Sequence, residues 1–165
     1  MNYCLPIQTK IGLLYAISRQ GKLIRLAAPE EITPMEKMLP GEDIPVLLNL
    51  KIWMSAYNEG SALPLQDIPV DPDGTDFQKA VWKILLQIPF GKSVSYGSIA
   101  REMEIQMGIE KMSAQAVGAA VGKNPIPIVI PCHRVLGAKS TLTGFRYGLH
   151  NKITLLNHEG ISYKK

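Results

Sequence analysis

A chain of 165 residues, 46% of them apolar and 19% charged, is long enough to bury a core as one globular unit or two small lobes. Its two cysteines, Cys4 and Cys132, stand far apart with no neighbouring cysteine, which argues against a disulfide framework or a cysteine-based zinc module and points to a reducing compartment. The formal charge of +4 suits a polyanionic partner without identifying one, because many proteins that lack such a partner carry the same balance.

The opening MNYCLPIQTKIGLLYAIS has no basic segment leading into an unbroken apolar run, and no later stretch reaches the apolar length of a membrane span. A soluble cytoplasmic protein that does not engage membranes is expected. IGLLYAISRQGKLIRLAA reads as two strands around the turn signal Gln20-Gly21, hence a hairpin. In PVLLNLKIWMSAYNEG, residues Val46, Leu47, Leu50, Trp53, Met54 and Tyr57 recur at helical spacing, and Gly60 stands where a helix stops. Trp53 and Met54 read here as core. The proline-rich LPLQDIPVDPDGTD marks a linker, so the expected organisation is an N-terminal α/β lobe over 1–73 and a second lobe over 74–165.

Thr75 with Gln78 resembles a capping box, and Phe77, Val81, Ile84, Leu85 and Ile88 line one helical face before Pro89. A second helix is expected from Ser95 through SYGSIAREM. A third fits SAQAVGAAVGKNP, with Ser113 as N-cap and Lys123-Asn124-Pro125 as its end. These two form a helix-turn-helix with an unusually long connector, Met103 to Met112. The small residues Ala114, Ala116, Gly118, Ala119, Ala120 and Gly122 suit close approach to another surface, and equally suit tight packing in a core. IPIVIPCHRVLG reads as a short apolar strand delivering Pro131, Cys132, His133 and Arg134. A glycine-rich loop, Gly137 to Gly148, then leads to a last helix in LHNKITLLNHEG. The expected class is α/β (α+β): a sheet-plus-helix lobe, then a mostly helical lobe with the helix-turn-helix and a short strand carrying the cysteine.

A thiol of ordinary pKa, near 8.5, is only a few per cent thiolate at neutral pH, so a nucleophilic Cys132 needs a base. His133 is a candidate base, directly or through a water, if the backbone turns at Pro127 and Pro131, since strand neighbours otherwise point to opposite faces, and Glu159 in His158-Glu159-Gly160 is a candidate to orient the imidazole. Two plainer readings stay open: Cys132 as a small core residue, and Glu159 as a solvated charge at a helix end.

IPCHRV, preceded by AVGAAVGKNPIPIV and followed by LTGF and LLNHEG, resembles the O6-alkylguanine-DNA alkyltransferases (methylated-DNA-protein-cysteine methyltransferases) over about residues 75 to 161. The resemblance implies DNA repair by direct reversal, in which the alkyl group of O6-methylguanine, and of O4-methylthymine as a second lesion, passes once to Cys132. It implies double-stranded DNA as partner, a monomer, and no cofactor. His133 would take the thiol proton through a bound water, Glu159 would hold the imidazole, and Tyr96 would donate a proton to the departing base. The base must leave the duplex, at a cost of a few kcal/mol.

In the family the second helix of the motif enters the minor groove, which would use Ala114, Gln115 and Gly118. The extruded base would lie against Pro127 and Phe145, with Val121 on the wall. The carbonyls of Cys132 and Val135 would accept from its exocyclic amine, and the Arg146 N–H would meet O6. Asn124 would tie the recognition helix to the cysteine strand, Lys152 would stand close to the pocket, and Arg134 is grouped with the DNA contacts. No metal is expected, because the first lobe offers Cys4 and no histidine. Nor is an appended phosphotriester-repair domain.

Two departures from the family pattern stand out. Gln115 replaces the arginine that commonly fills the gap left by the base, which predicts weaker or more selective extrusion. Competing readings are a lesion-binding module, against which Cys132 argues, and a thiol hydrolase, which needs an oxyanion hole and turnover. Arg146 and Tyr147 stand where many relatives have small residues, and their bulk predicts a narrowed pocket. Reaction with O6-benzylguanine should therefore be slower than with O6-methylguanine in duplexes of one sequence; equal rates in a single-turnover time course would refute the narrowing.

Overall fold

The computed structural model describes residues 1–37 and 39–165. They form two compact units, Met1–Asp73 and Gly74–Lys165.

The first unit is built on an antiparallel sheet, β1 (Asn2–Thr9), β2 (Gly12–Arg19) and β3 (Lys22–Ala27), in the order β1-β2-β3. Gln20 and Gly21 join β2 to β3 with φ of 53° and 77°, the left-handed pair that a two-residue hairpin requires. β1 is a strand that the sequence pattern did not predict. Pro6 lies within it, tolerable on an edge where its missing N–H leaves no partner unserved. After a single-turn helix α1 (Pro34–Lys37), helix α2 (Pro45–Asn58) packs on β1 and buries the expected Val46, Leu47, Leu50, Trp53, Met54 and Tyr57. Trp53 and Tyr57 stack at 5.6 Å between ring centroids.

The second unit begins with α3 (Asp76–Leu85). Thr75 caps it through a complete capping box with Gln78, and α3 buries Val81, Trp82, Ile84 and Leu85. The helix stops short of Ile88, which is buried in the turn that follows. A two-residue strand β4 (Val94–Ser95) runs directly into α4 (Tyr96–Met107), whose N-cap is Ser95. α4 extends past the expected end, and Gly108 closes it in the left-handed conformation at φ 65°. Much of the long connector is thus an extra helical turn. The Glu104 carboxylate braces the remainder by accepting from the Met112 backbone N–H at 2.9 Å. Helix α5 (Ala114–Gly122) starts at its Ser113 cap and packs against both α3 and α4. The Trp82 indole N–H donates to the Ala120 carbonyl at 2.9 Å, locking α3 to α5. Strand β5 (Val135–Leu136) pairs in parallel with β4, and α6 (Leu149–Glu159) ends at left-handed Gly160. No helix among the described residues is long and apolar enough to cross a membrane.

Thr75 supplies an α3 backbone N–H with an acceptor, so Thr75→Ala should cost about 1 kcal/mol and lower the melting temperature by a few degrees, while Thr75→Ser stays close to the unmutated protein. Circular dichroism melts of the three proteins check this.

Candidate active site

Cys132 does not sit at the end of a strand, contrary to the sequence expectation. Residues 125–130 form turns, Cys132–Arg134 is a short 3-10 turn, and β5 follows the cysteine. The reason lies in the backbone. Pro127 and Pro131 have no N–H to give a ladder, and Ile128 is at φ 71°, which reverses the chain at a cost rarely accepted by a β-branched residue. Asn124, fully buried, takes the place of a strand partner: its side-chain amide donates to the Ile130 carbonyl at 2.7 Å, and its carbonyl accepts from the Ile126 N–H at 2.9 Å.

The parallel pairing Val94↔Val135 and Ser95↔Leu136 then brings the start of α4 beside the cysteine turn. Tyr96 and Cys132 line one cavity of about 380 Å³, together with Gly118, Val121 and Gly122 of α5 and Gly144, Phe145 and Arg146 of the loop. Burial pushes the Cys132 thiol up to about 11, against the downward pull of the Asn124 amide, Lys152 and Arg146. The thiol rests protonated.

Next along the turn, His133 and Arg134 point into a buried polar cluster. The Glu159 carboxylate at the end of α6 accepts from Arg134 Nε at 2.7 Å, Arg134 Nη2 at 3.1 Å and the Gly91 N–H at 3.0 Å, and it pairs with His133 Nε2 at 2.5 Å. Burial by itself would raise the Glu159 carboxyl, but the bonds and charges of His133 and Arg134 outweigh it and hold the group well below the carboxylate range. His133 is shifted down, chiefly by burial, which outweighs the upward pull of Glu159 with help from the Arg134 and Lys152 charges. A neutral imidazole that donates from Nε2 to Glu159 leaves Nδ1 as a base. That atom is buried and has no hydrogen-bond partner among the described residues.

Two of the expected base or DNA contacts are instead internal. Arg134 is only 7% exposed, and its remaining nitrogen donates to the Ile88 carbonyl at 2.6 Å, so it is a structural cation within the Glu159 cluster. Lys152 is fully buried, with Nζ donating to the Val135 carbonyl at 2.8 Å and to Thr143 Oγ1 at 3.1 Å. Both reach inward because a partner waits there, the carboxylate for Arg134 and a strand carbonyl for Lys152. Pro127 is buried in the cysteine turn. The Cys132 carbonyl already accepts from the Val135 N–H and the Val135 carbonyl from Lys152, which leaves one lone pair on each. Ala114, Gln115, Ala116 and Ala119 form an exposed face of small or neutral side chains on α5, while Val117, Ala120 and Val121 are buried.

The chain matches the family described as 6-O-methylguanine DNA methyltransferase, DNA binding domain, over residues 76–161. A methylated-DNA-protein-cysteine methyltransferase of Haemophilus influenzae is 36% identical across 94% of this chain and 89% of its own length. This chain belongs to the 6-O-methylguanine DNA methyltransferase family. An inducible methylated-DNA-protein-cysteine methyltransferase of Bacillus subtilis is 39% identical over 74% of this chain and 68% of its own. Among solved structures, the O6-methylguanine methyltransferase of Mycobacterium tuberculosis superposes with a TM-score of 0.76 at 37% identity, covering 96% of this chain and 93% of that one. The mycobacterial protein in complex with DNA matches equally well, with a TM-score of 0.76.

Residue reading missed the contribution of Thr143, which accepts from Lys152 and bonds the Tyr96 hydroxyl at 3.1 Å. The latch of Arg146 and Tyr147 on the end of α5 was equally hidden, with Arg146 donating to the Lys123 and Asn124 carbonyls and Tyr147 to Asn124. Apart from Lys152 and Thr143, these partners stand 22 to 47 positions apart, beyond the reach of any spacing rule.

The Glu159 cluster makes stability fall with acid. Both shifts are downward, so each group's contribution is complete above its unfolded pKa and is lost as pH drops toward its folded value. The melting temperature should decline below about pH 6.5 as His133 is charged, and more steeply below about 4.3 as Glu159 is protonated. Glu159→Ala should destabilise by roughly 3–5 kcal/mol, since it strands a buried guanidinium. Melts across a pH series check both; an acid-insensitive melting temperature would contradict the cluster.

Proposed function

We infer that this protein repairs DNA by direct reversal, transferring the alkyl group of O6-methylguanine in a duplex irreversibly to Cys132. The observation that carries the reading is one cavity lined by a buried thiol and a phenol, with His133, paired to Glu159, next to the cysteine in the same turn. The relatives' activities, as their names state them, and the mycobacterial DNA complex support the substrate class.

In this mechanism the Cys132 thiol proton passes to His133 Nδ1, directly or through a water, and Glu159 stabilises the imidazolium that forms. Sulfur displaces the base from the alkyl carbon. Tyr96 protonates the departing guanine, which turns an anionic leaving group into a neutral one. A carbon–sulfur thioether is not hydrolysed under mild conditions, so each molecule acts once. The target base is reached by rotation out of the helix, with the small exposed face of α5, Ala114, Ala116 and Ala119, and Gly118 beside it, lying in the minor groove and Gln115 entering the gap. Phe145, Val121 and Pro127 would pack on the base, with the lone pairs on the Cys132 and Val135 carbonyls receiving its amine and the Arg146 N–H meeting O6. A nucleophilic thiol must stay reduced, so the cytoplasm is the natural site of action.

Intact-protein mass after incubation with a duplex carrying one O6-methylguanine tests this. One methyl group should appear on Cys132, saturate at one equivalent, and be absent from Cys132→Ala. Lesion-selective binding without any mass gain would reduce the protein to a lesion-binding module, and catalytic release of product would make it a hydrolase.

A further inference from the structure

Behind the phenol that faces the cavity, three side chains form a continuous hydrogen-bonded chain. Lys152 Nζ donates to Thr143 Oγ1 at 3.1 Å, and Thr143 Oγ1 lies 3.1 Å from the Tyr96 hydroxyl. An ammonium has only donors, which fixes the polarity of the chain. Thr143 accepts from Lys152 and is left with its own proton to offer to the Tyr96 oxygen. Tyr96 in turn is free to direct its proton at the cavity it lines with Cys132. Lys152 is held at the inner end by the Val135 carbonyl at 2.8 Å, one residue past the cysteine turn, so the chain is anchored to the same strand that positions the nucleophile.

We propose that Thr143 is a positioning residue that relays a proton from Lys152 to Tyr96, so that the phenol protonating the departing base is recharged from inside the protein. The proposal rests on the alkyl-transfer reading above. In the step, the sulfur–carbon bond forms and the carbon–O6 bond breaks with its electron pair leaving on the base. The Tyr96 O–H proton goes to the base, the Thr143 hydroxyl proton goes to the phenolate oxygen, and an N–H proton of Lys152 replaces it on Thr143. Lys152 ends neutral while His133, holding the thiol proton, ends as the cation; total charge is conserved.

The electrostatics favour this direction. Burial brings the Lys152 ammonium down to about 8, which makes it a readier acid. Burial likewise raises the Tyr96 phenol, although the Thr143 bond draws it partly back. Proton transfer from Lys152 to a Tyr96 phenolate is therefore downhill.

The test is single-turnover methyl transfer from an O6-methylguanine duplex, comparing Thr143→Val, which removes the hydroxyl at constant shape, with Thr143→Ser, which keeps it. Thr143→Val should react roughly tenfold more slowly yet still reach one methyl per Cys132, and Thr143→Ser should recover most of the rate. On a Tyr96→Phe background, Thr143→Val should slow the reaction no further, because the two residues act in one chain. An unchanged rate for Thr143→Val, failure of serine to rescue, or an equal further loss on the Tyr96→Phe background would each overturn the relay. Thr143→Ala, also lacking the hydroxyl, replaces the valine variant if that one melts early. Absence of any methyl on Cys132 of the unmutated protein would remove the functional reading itself, which the endpoint mass distinguishes from a defect in rate.

Discussion

The second unit is organised around one buried carboxylate. Glu159 has both oxygens occupied by Arg134, His133 and the Gly91 backbone, and it binds the end of α6 to the 3-10 turn that carries Cys132. A lone buried carboxylate would neutralise itself by taking up a proton; here a permanent guanidinium keeps it ionised. That pairing has a chemical result. Burial, with Arg134 balancing the charge of Glu159, favours the neutral imidazole next to a thiol that rests protonated.

Placement of the other groups follows from short elements rather than large ones. The two-residue parallel pair of β4 and β5 sets the first residue of α4, Tyr96, beside the turn that begins at Cys132. Asn124 connects the end of α5 to the same turn from the other side. Helix α5, Cys132 and Tyr96 are thereby referenced to one backbone segment. A thiol raised to about 11 is poorly reactive toward adventitious electrophiles.

The loop between Gly137 and Gly148 adds a second layer of control. Arg146 and Tyr147 fasten it to the carbonyls that terminate α5, and this fastening presents Phe145 to the cavity beside Gly144. Thr143, a little earlier in the loop, joins the cavity's phenol to the buried Lys152. One loop therefore both lines the pocket and hydrogen-bonds its phenol.

By itself the sequence determined the elements whose signals are local. The hairpin at Gln20-Gly21, the buried face of α2, the Thr75 capping box, and the Ser95 and Ser113 caps all follow from residues within a few positions of one another. The PCHR segment in its frame carried the family and marked Cys132 as its candidate nucleophile. Only the tertiary structure decided the rest. That Cys132 opens a turn depends on Asn124 replacing the partners that two prolines deny it. That Arg134 and Lys152 face inward depends on a carboxylate and a strand carbonyl supplied from distant positions. Long-range pairing of charges and hydrogen bonds has no period along a chain, because it is set by which elements pack together, and packing is a property of the folded whole.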